Sequence, residues 1–313
     1  MKPVNLHPYR SFGRADELLV RGRVLLGRHI TRVKGAESLW RDVLNTYRRF
    51  QSDEIAGARV TATFRDAVVE TVTDREGYFN LVLRPSEIDL SMPWHEVGLA
   101  LPAHGATATG HVLVPSIDAR FGIISDIDDT IVQTHATSLR HMIRAVMRNA
   151  STRLPFDGVA DLYRALHADR NPLFYVSSSP WNLYELLHDF MELNAIPHGP
   201  MFLQDWGIDR DTFITTPHEQ HKLQQIQLLM DYYPSLRFVL IGDSGQHDPE
   251  IYLNVIQSRP ERVVAAIIRD VTADVRDRAV SRIVDDAKSS GVEMVYVTDS
   301  KDALVHAKRL GLA

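Results

Sequence analysis

Two hydrophobic patterns divide the chain. From Ala58 to Leu83 the stretch ARVTATFRDAVVETVTDREGYFNLVL alternates apolar and polar residues around the turn-like Asp74-Arg75-Glu76-Gly77, and GLALPAHGATATGHVLVP continues the alternation to Pro115. A period of two marks strands with one buried face, so residues 15–117 are predicted to form a small β-sandwich, after an amino-terminal extension of residues 1–14. Beyond it the apolar runs become continuous: FGIIS ending at Ser125, LFYV from Leu173, FVLI from Phe238, then VVAAIIRDV and VEMVYV. Strands buried on both faces read this way, and the helical stretches between them favour an α/β domain over residues 118–313 with a parallel sheet. The terminal DALVHAKRLGL is predicted to be a covering helix.

Polar clusters follow three of these runs. Asp126 and Asp128 come directly after the first, Ser177 after the second, and the GDSGQHD run from Gly242 to Asp248 includes the end of the third. Open parallel sheets bind ligands beyond the carboxyl ends of their strands, so these distant residues are expected to converge on one pocket. Lys222 starts the helical run HKLQQIQLLM, in which Leu223, Ile226 and Leu229 or Met230 mark one apolar face. The alternative is that the acids are caps, turns and ordinary surface. Asp248 before Pro249 would suit a helix start without any metal. Ser178 and Ser179 compete with Ser177 as hydroxyl donors.

The motifs SDIDDT at 125–130, FYVSSSPWNLY at 174–184, HK at 221–222 and IGDSGQHDPEIY at 241–252 occur in that order. Residues 119–275 resemble the haloacid dehalogenase-like phosphatase superfamily, and within it the catalytic domain of actin-patch-associated phosphatidate phosphatases and their bacterial relatives. The resemblance implies a Rossmann-like sheet with a small cap. It implies that Asp126 attacks phosphorus to form an aspartyl phosphate, while Asp128 protonates the leaving oxygen and later activates water. It further implies Mg2+ held by Asp126, the Asp128 carbonyl and Asp243, with Asp248 binding directly or through a water, and phosphate contacts from Ser177 and Lys222. Hard oxygen donors suit magnesium, and a cation bridging carboxylate and phosphate reduces their repulsion. Asp129 stands where many superfamily members have glycine, and is read as a helix cap or a solvent-facing acid.

Between Thr130 and Asn171 there is room for one or two cap helices. Arg140, Arg144 and Arg148 repeat every four residues beside an apolar stripe of Leu139, Met142, Ile143, Val146 and Met147. Such a helix is a candidate for an anionic membrane surface, or for inward packing with its arginines exposed. GPMFLQDWG from Gly199 is read as a pocket rim, with Trp206 and Trp94 as core residues. Arg269 and Asp270 are read as an ion pair or loop charges.

Composition narrows the function. The chain has 313 residues, no cysteine and a formal net charge of -5. Thiolate catalysis and disulfides are excluded, and no nucleic-acid partner is expected of a chain without basic excess. No run is long and apolar enough to span a membrane, which points to a cytoplasmic protein, peripheral at membranes. The expectation is a magnesium-dependent phosphomonoester hydrolase acting on phosphatidate. The alternatives are a protein phosphatase or a noncatalytic phosphate-binding adaptor, with the β-sandwich taking a protein partner.

Overall fold

The computed structural model describes residues 3–27, 54–128, 130–131, 156–204, 218–271 and 277–313. The chain divides into two units, Met1–Asp118 and Ala119–Ala313. The first is a mixed sheet of β1 (Val4–Pro8), β2 (Ser11–Arg14), β3 (Glu17–Leu26), β4 (Arg59–Phe64), β5 (Ala67–Val72), β6 (Tyr78–Leu83), β7 (Trp94–Leu101) and β8 (Ala106–Leu113). Its strand order is β1-β3-β2-β8-β7-β4-β5, with β6 paired to β3. The expected sandwich is thus hydrogen-bonded into one continuous sheet, antiparallel apart from the β2–β8 pair.

The alternating residues Val60, Ala62, Phe79, Leu81, Val97 and Leu99 bury one face together with Leu18 and Val20. The expected turn is present: Gly77 has φ +78°, and the Asp74 carboxylate accepts from the Glu76 and Tyr78 amides at 2.9 Å each. The extension expected over residues 1–14 instead supplies, within its described residues 3–14, β1 and β2. Val4–Pro8 pair along Gly22–Leu26, and Leu6 joins the core. Their hydrophobic signal was too short to show a period. Trp94 is half-buried and stacks with Arg10, whose guanidinium lies 5.0 Å from the ring centroid.

The second unit holds a six-stranded parallel sheet in the order β11-β10-β9-β12-β13-β14. Its strands are β9 (Gly122–Ser125), β10 (Leu173–Pro180), β11 (Met201–Gln204), β12 (Phe238–Asp243), β13 (Val263–Arg269) and β14 (Glu293–Val297). Its helices are α1 (Val159–His167), α2 (Tyr184–Leu193), α3 (His218–Tyr232), α4 (Asp248–Ser258), α5 (Asp277–Ser289) and α6 (Ser300–Arg309). Every residue of β9, β11 and β12 is buried, as strands covered on both faces require.

The stretch expected as a pocket rim begins with β11, because Met201-Phe202-Leu203-Gln204 is fully buried and pairs with β10. Successive strands run outward from β9 through β10 to β11, and then from β12 to β14 on the other side. The reversal lies between β9 and β12, where parallel sheets open a crevice at their carboxyl ends. Asp129, Trp206 and the predicted helix bearing Arg140, Arg144 and Arg148 lie outside the described residues.

Candidate active site

Asp126 follows the last residue of β9, and its amide donates to the Ile241 carbonyl of β12 at 2.9 Å. Asp243 closes β12, and Asp248 opens α4 five residues later. The switch point therefore gathers three carboxylates. Asp126 is 1% exposed, while Asp243 and Asp248 are fully buried. Their oxygens come within 4.8 Å of one another.

The loop after β12 is shaped by these acids. Asp243 Oδ1 accepts from the amides of Gly245 at 2.7 Å and Gln246 at 3.0 Å. Asp248 Oδ2 accepts from the Asp243 amide at 3.2 Å, and Tyr252 anchors α4 by donating to the Ile241 carbonyl at 2.8 Å. Gly242 is required here because a Cβ would stand 2.4 Å from Asp248 Oδ2.

Lys222 enters from α3, where Ile226, Leu229 and Met230 bury the apolar face as expected. Its ammonium lies 2.6 Å from Asp248 Oδ1 and 3.1 Å from Asp126 Oδ1, and it donates to Gln246 Oε1 at 3.4 Å. Burial alone would lower its pKa, but Asp126, Asp248 and Asp243 outweigh that and hold it above the ordinary lysine value. Lys222 is therefore a charged lysine.

Asp126 is pushed well above the usual carboxylate range. Burial is the main cause, Lys222 opposes it, and Asp248, Asp128 and Asp243 add to it. Among the described residues, none gives either Asp126 oxygen a hydrogen bond of good geometry, although both oxygens are buried. Ionising all three carboxylates against one ammonium would require two further positive charges, the charge of one divalent cation, and the upward shift of Asp126 reflects their absence. A buried anionic cluster of this kind is costly unless a cation compensates it, and its all-oxygen donor set suits magnesium. The residues fit a metal site. Both Asp248 oxygens are engaged, by Lys222 and by the Asp243 amide.

Asp128 faces β10. Its Oδ2 accepts from Ser177 Oγ at 2.8 Å and from Ser179 Oγ at 3.1 Å, and the Ser179 amide donates to Ser177 Oγ at 2.9 Å. All the site residues named from the sequence that are described are thus brought together. Ser177 is placed with its hydroxyl on the second aspartate of the pair.

Residues 121–270 match the family described as "Phosphatidate phosphatase APP1, catalytic domain". The second unit is therefore related to the APP1 catalytic domain. The phosphatidate phosphatase APP1 of Saccharomyces cerevisiae is 34% identical over 203 residues, covering 62% of this chain and 34% of its own length. An uncharacterized protein of Schizosaccharomyces pombe is 29% identical over 165 residues, 51% of this chain and 27% of its own. The chain thus spans about a third of the length of the curated relatives it matches. A haloacid dehalogenase family hydrolase from Deinococcus radiodurans R1, solved with bound phosphate and sodium, covers 62% of this chain and 98% of its own, at 14% identity and a TM-score of 0.37.

Sequence reasoning ranked Ser179 only as a competitor of Ser177, and it missed the parts that Gln246 and Arg269 play at this site. Ser179 shares a strand face with Ser177, and their spacing of two would have shown it had β10 been extended to Pro180. Gln246 carries no such signal. Arg269 corrects the expectation that it and Asp270 form an ion pair or are loop charges. It is 7% exposed at the end of β13, and bonds to the Thr130 carbonyl at 3.3 Å and to Ser300 Oγ at 3.2 Å. Asp270 instead accepts from Ser244 Oγ at 3.3 Å. Strand β13 sets Arg269 level with Asp243 in the ladder.

Proposed function

We propose that the second unit is a magnesium-dependent phosphomonoester hydrolase that works through an aspartyl phosphate on Asp126, with phosphatidate as its substrate. The observation that carries this reading is the Asp126 carboxylate. It is buried at the switch point, receives no hydrogen bond of good geometry from the described residues, and lies 3.1 Å from Lys222 and close to Asp243 and Asp248. The lipid substrate is supported by the family description and by the yeast relative's name.

In the first half-reaction an Asp126 oxygen forms a bond to phosphorus as the ester P–O bond breaks. Asp128 gives its proton to the departing alkoxide. In the second, Asp128 takes a proton from water as the water oxygen attacks phosphorus, and the acyl P–O bond breaks to restore Asp126 and release phosphate. Magnesium, held by Asp126, Asp243 and the Asp128 carbonyl with Asp248 behind it, would supply positive charge against the phosphoryl oxygens.

Lys222 adds a fixed cation in a water-poor site, where such charge is most effective. Ser177 redirects its hydroxyl hydrogen bond from Asp128 to a nonbridging phosphate oxygen when substrate arrives, and the Ser179 bond keeps Asp128 in its rotamer. The helix read from the sequence around Arg140, Arg144 and Arg148 is the candidate membrane contact. Changing all three to glutamine should weaken vesicle binding more than turnover of a soluble ester.

Among the described residues no helix is long and apolar enough to cross a membrane. The test is phosphate release from phosphatidate in mixed micelles by metal-free protein titrated with magnesium, with rapid-quench capture of the phosphoenzyme in D128N. Release that follows magnesium and an acyl phosphate lost in D126N are expected. Full activity without a divalent ion would overturn the metal. Turnover of phosphopeptides but not phosphatidate would make this a protein phosphatase, and phosphate binding without turnover would make it an adaptor.

A further inference from the structure

The loop from Asp126 to Thr130 carries both acids of the proposed reaction, and two separate tethers hold it by main-chain carbonyls. At its start, Ser125 Oγ donates to the Asp126 carbonyl at 2.7 Å. That hydroxyl is in turn bonded to the Tyr163 hydroxyl of α1. At its end, the Arg269 guanidinium donates to the Thr130 carbonyl at 3.3 Å. Between them the Ile131 amide closes a turn on the Ile127 carbonyl at 2.9 Å, which leaves Asp128 projecting toward Ser177 and Ser179.

The second tether is unusual in its construction. A buried arginine is a costly way to hold one neutral carbonyl, and desolvation pulls the Arg269 pKa below the ordinary arginine value. The guanidinium is nevertheless fixed on three sides. It lies 3.5 Å from the centroid of the Phe156 ring, a close cation–π contact, and bonds to Ser300 Oγ at the start of α6. Thr130 is 3% exposed and, among the described residues, its own Oγ1 has no hydrogen-bond partner, although it lines a small cavity with Tyr163, Arg269 and Ser300. The threonine side chain therefore does not fix the end of the loop. Its backbone does, through Arg269.

We propose that Arg269 is a positioning residue for phosphoryl transfer, holding the Thr130 carbonyl so that Asp128 stands opposite Ser177 and Ser179. It touches neither acid, so it acts through the loop. The inference rests on the phosphatase reading above. Loss of the tether should harm proton transfer to the leaving group more than attack on phosphorus, because Asp126 keeps its own anchors on Ile241 and Ser125.

The experiment compares R269A, R269K and F156L with wild type on an alkyl phosphate, whose leaving group needs a proton, and on a nitrophenyl phosphate, which needs it less. A misplacement of the order of an ångström costs about 100-fold, so R269A should lose about 100-fold in kcat on the alkyl ester and about 10-fold or less on the aryl ester. R269K should recover little, since an ammonium lacks the planar fork that bonds and stacks at once.

Added guanidinium should restore R269A several-fold, with no effect on R269K. F156L keeps an apolar side chain while deleting the cation–π contact, and should show a smaller loss with the same leaving-group bias. It carries the test if R269A fails to fold. Hydrogen exchange of the 126–131 segment, which does not depend on turnover, should quicken in the variants. Equal losses on both esters without guanidinium rescue, or kcat within about twofold of wild type on both, would reduce Arg269 to a structural residue. Wild-type protein that hydrolyses neither ester would instead defeat the phosphatase reading, and exchange in the loop would still report on the tether.

Discussion

The two sheets of this chain are built from similar residues but place their polar groups in opposite ways. In the first unit β5 alternates between half-buried and exposed positions and β7 between buried and outward-facing ones. Charged side chains there pair across the outer face, as Arg59 does with Glu70 at 3.2 Å, both about half exposed or more. In the second unit β12 is buried at all six positions, so polar side chains collect where the strands end. A sheet with a wet face spreads its charges, whereas a sheet covered on both faces concentrates them at one edge. The same ion-pair chemistry is then worth little in one place and structures a site in the other.

Removing the nucleophile is the largest expected effect. D126N should lower phosphate release by at least about 10^4-fold, as loss of an attacking group does in other enzymes. It also removes a carboxylate that burial and three neighbouring acids disfavour, so metal-free D126N should melt above metal-free wild type. A melting temperature that falls would mean that Asp126 is well compensated and that the charge deficit at the site is wrongly drawn.

The two ion pairs give the next test. K222M leaves Asp126 and Asp248 buried without their ammonium, and should cost about 3–5 kcal/mol in denaturant melts of metal-free protein. E70A, which breaks an exposed pair in the first unit, should cost about 1 kcal/mol or less. Similar values for both would erase the contrast between the sheets.

Glycines sharpen the contrast further. In G242A the new methyl meets Asp248 Oδ2 at 2.4 Å, and an overpacked core of this kind costs about 1–3 kcal/mol. Magnesium-induced stabilisation should shrink with it, because Asp248 must move. Gly98 in β7 has only the Thr63 carbonyl nearby, at 3.6 Å, so G98A should stay within about 0.5 kcal/mol of wild type. Thermal melts with and without magnesium measure both.

The same contrast decides what the sequence reveals. Continuous apolar runs located β9, β12, β13 and β14, and the acids that follow them were legible as a convergent site because strand ends converge in any parallel sheet. Strand β11 was hidden, since a four-residue run beside Gly199 and Pro200 resembles a loop rim until its pairing with Tyr175 and Val176 is known. The strands β1 and β2 were too short for a period to emerge. Arg269 was misread for another reason. Nothing local distinguishes a buried arginine from a surface one, and its partners Thr130, Phe156 and Ser300 are distant in sequence. Pairwise polar contacts across such gaps carry no periodic signal.

The smallest expected effect is a pH dependence confined to the first sheet. His95 in β7 is buried against Phe64, with ring centroids 5.9 Å apart at 89°. Burial lowers its pKa from 6.5, Arg65 adds to the lowering, and Asp89 and a backbone bond at Met92 oppose it. For a base with a depressed folded pKa, the unfolded chain binds the extra proton first. The stabilisation is therefore complete above about 6.5 and is lost as pH falls below it, by less than about 1 kcal/mol once solvent screening is allowed for. Amide protection in β7 should weaken between pH 7 and pH 5 after correction for intrinsic exchange, and H95F should flatten that slope. An unchanged slope in H95F would assign the acid sensitivity of this sheet to its carboxylates, such as Asp66 and Asp89, whose pKa values are lowered by hydrogen bonds from Ser86 and Ser91.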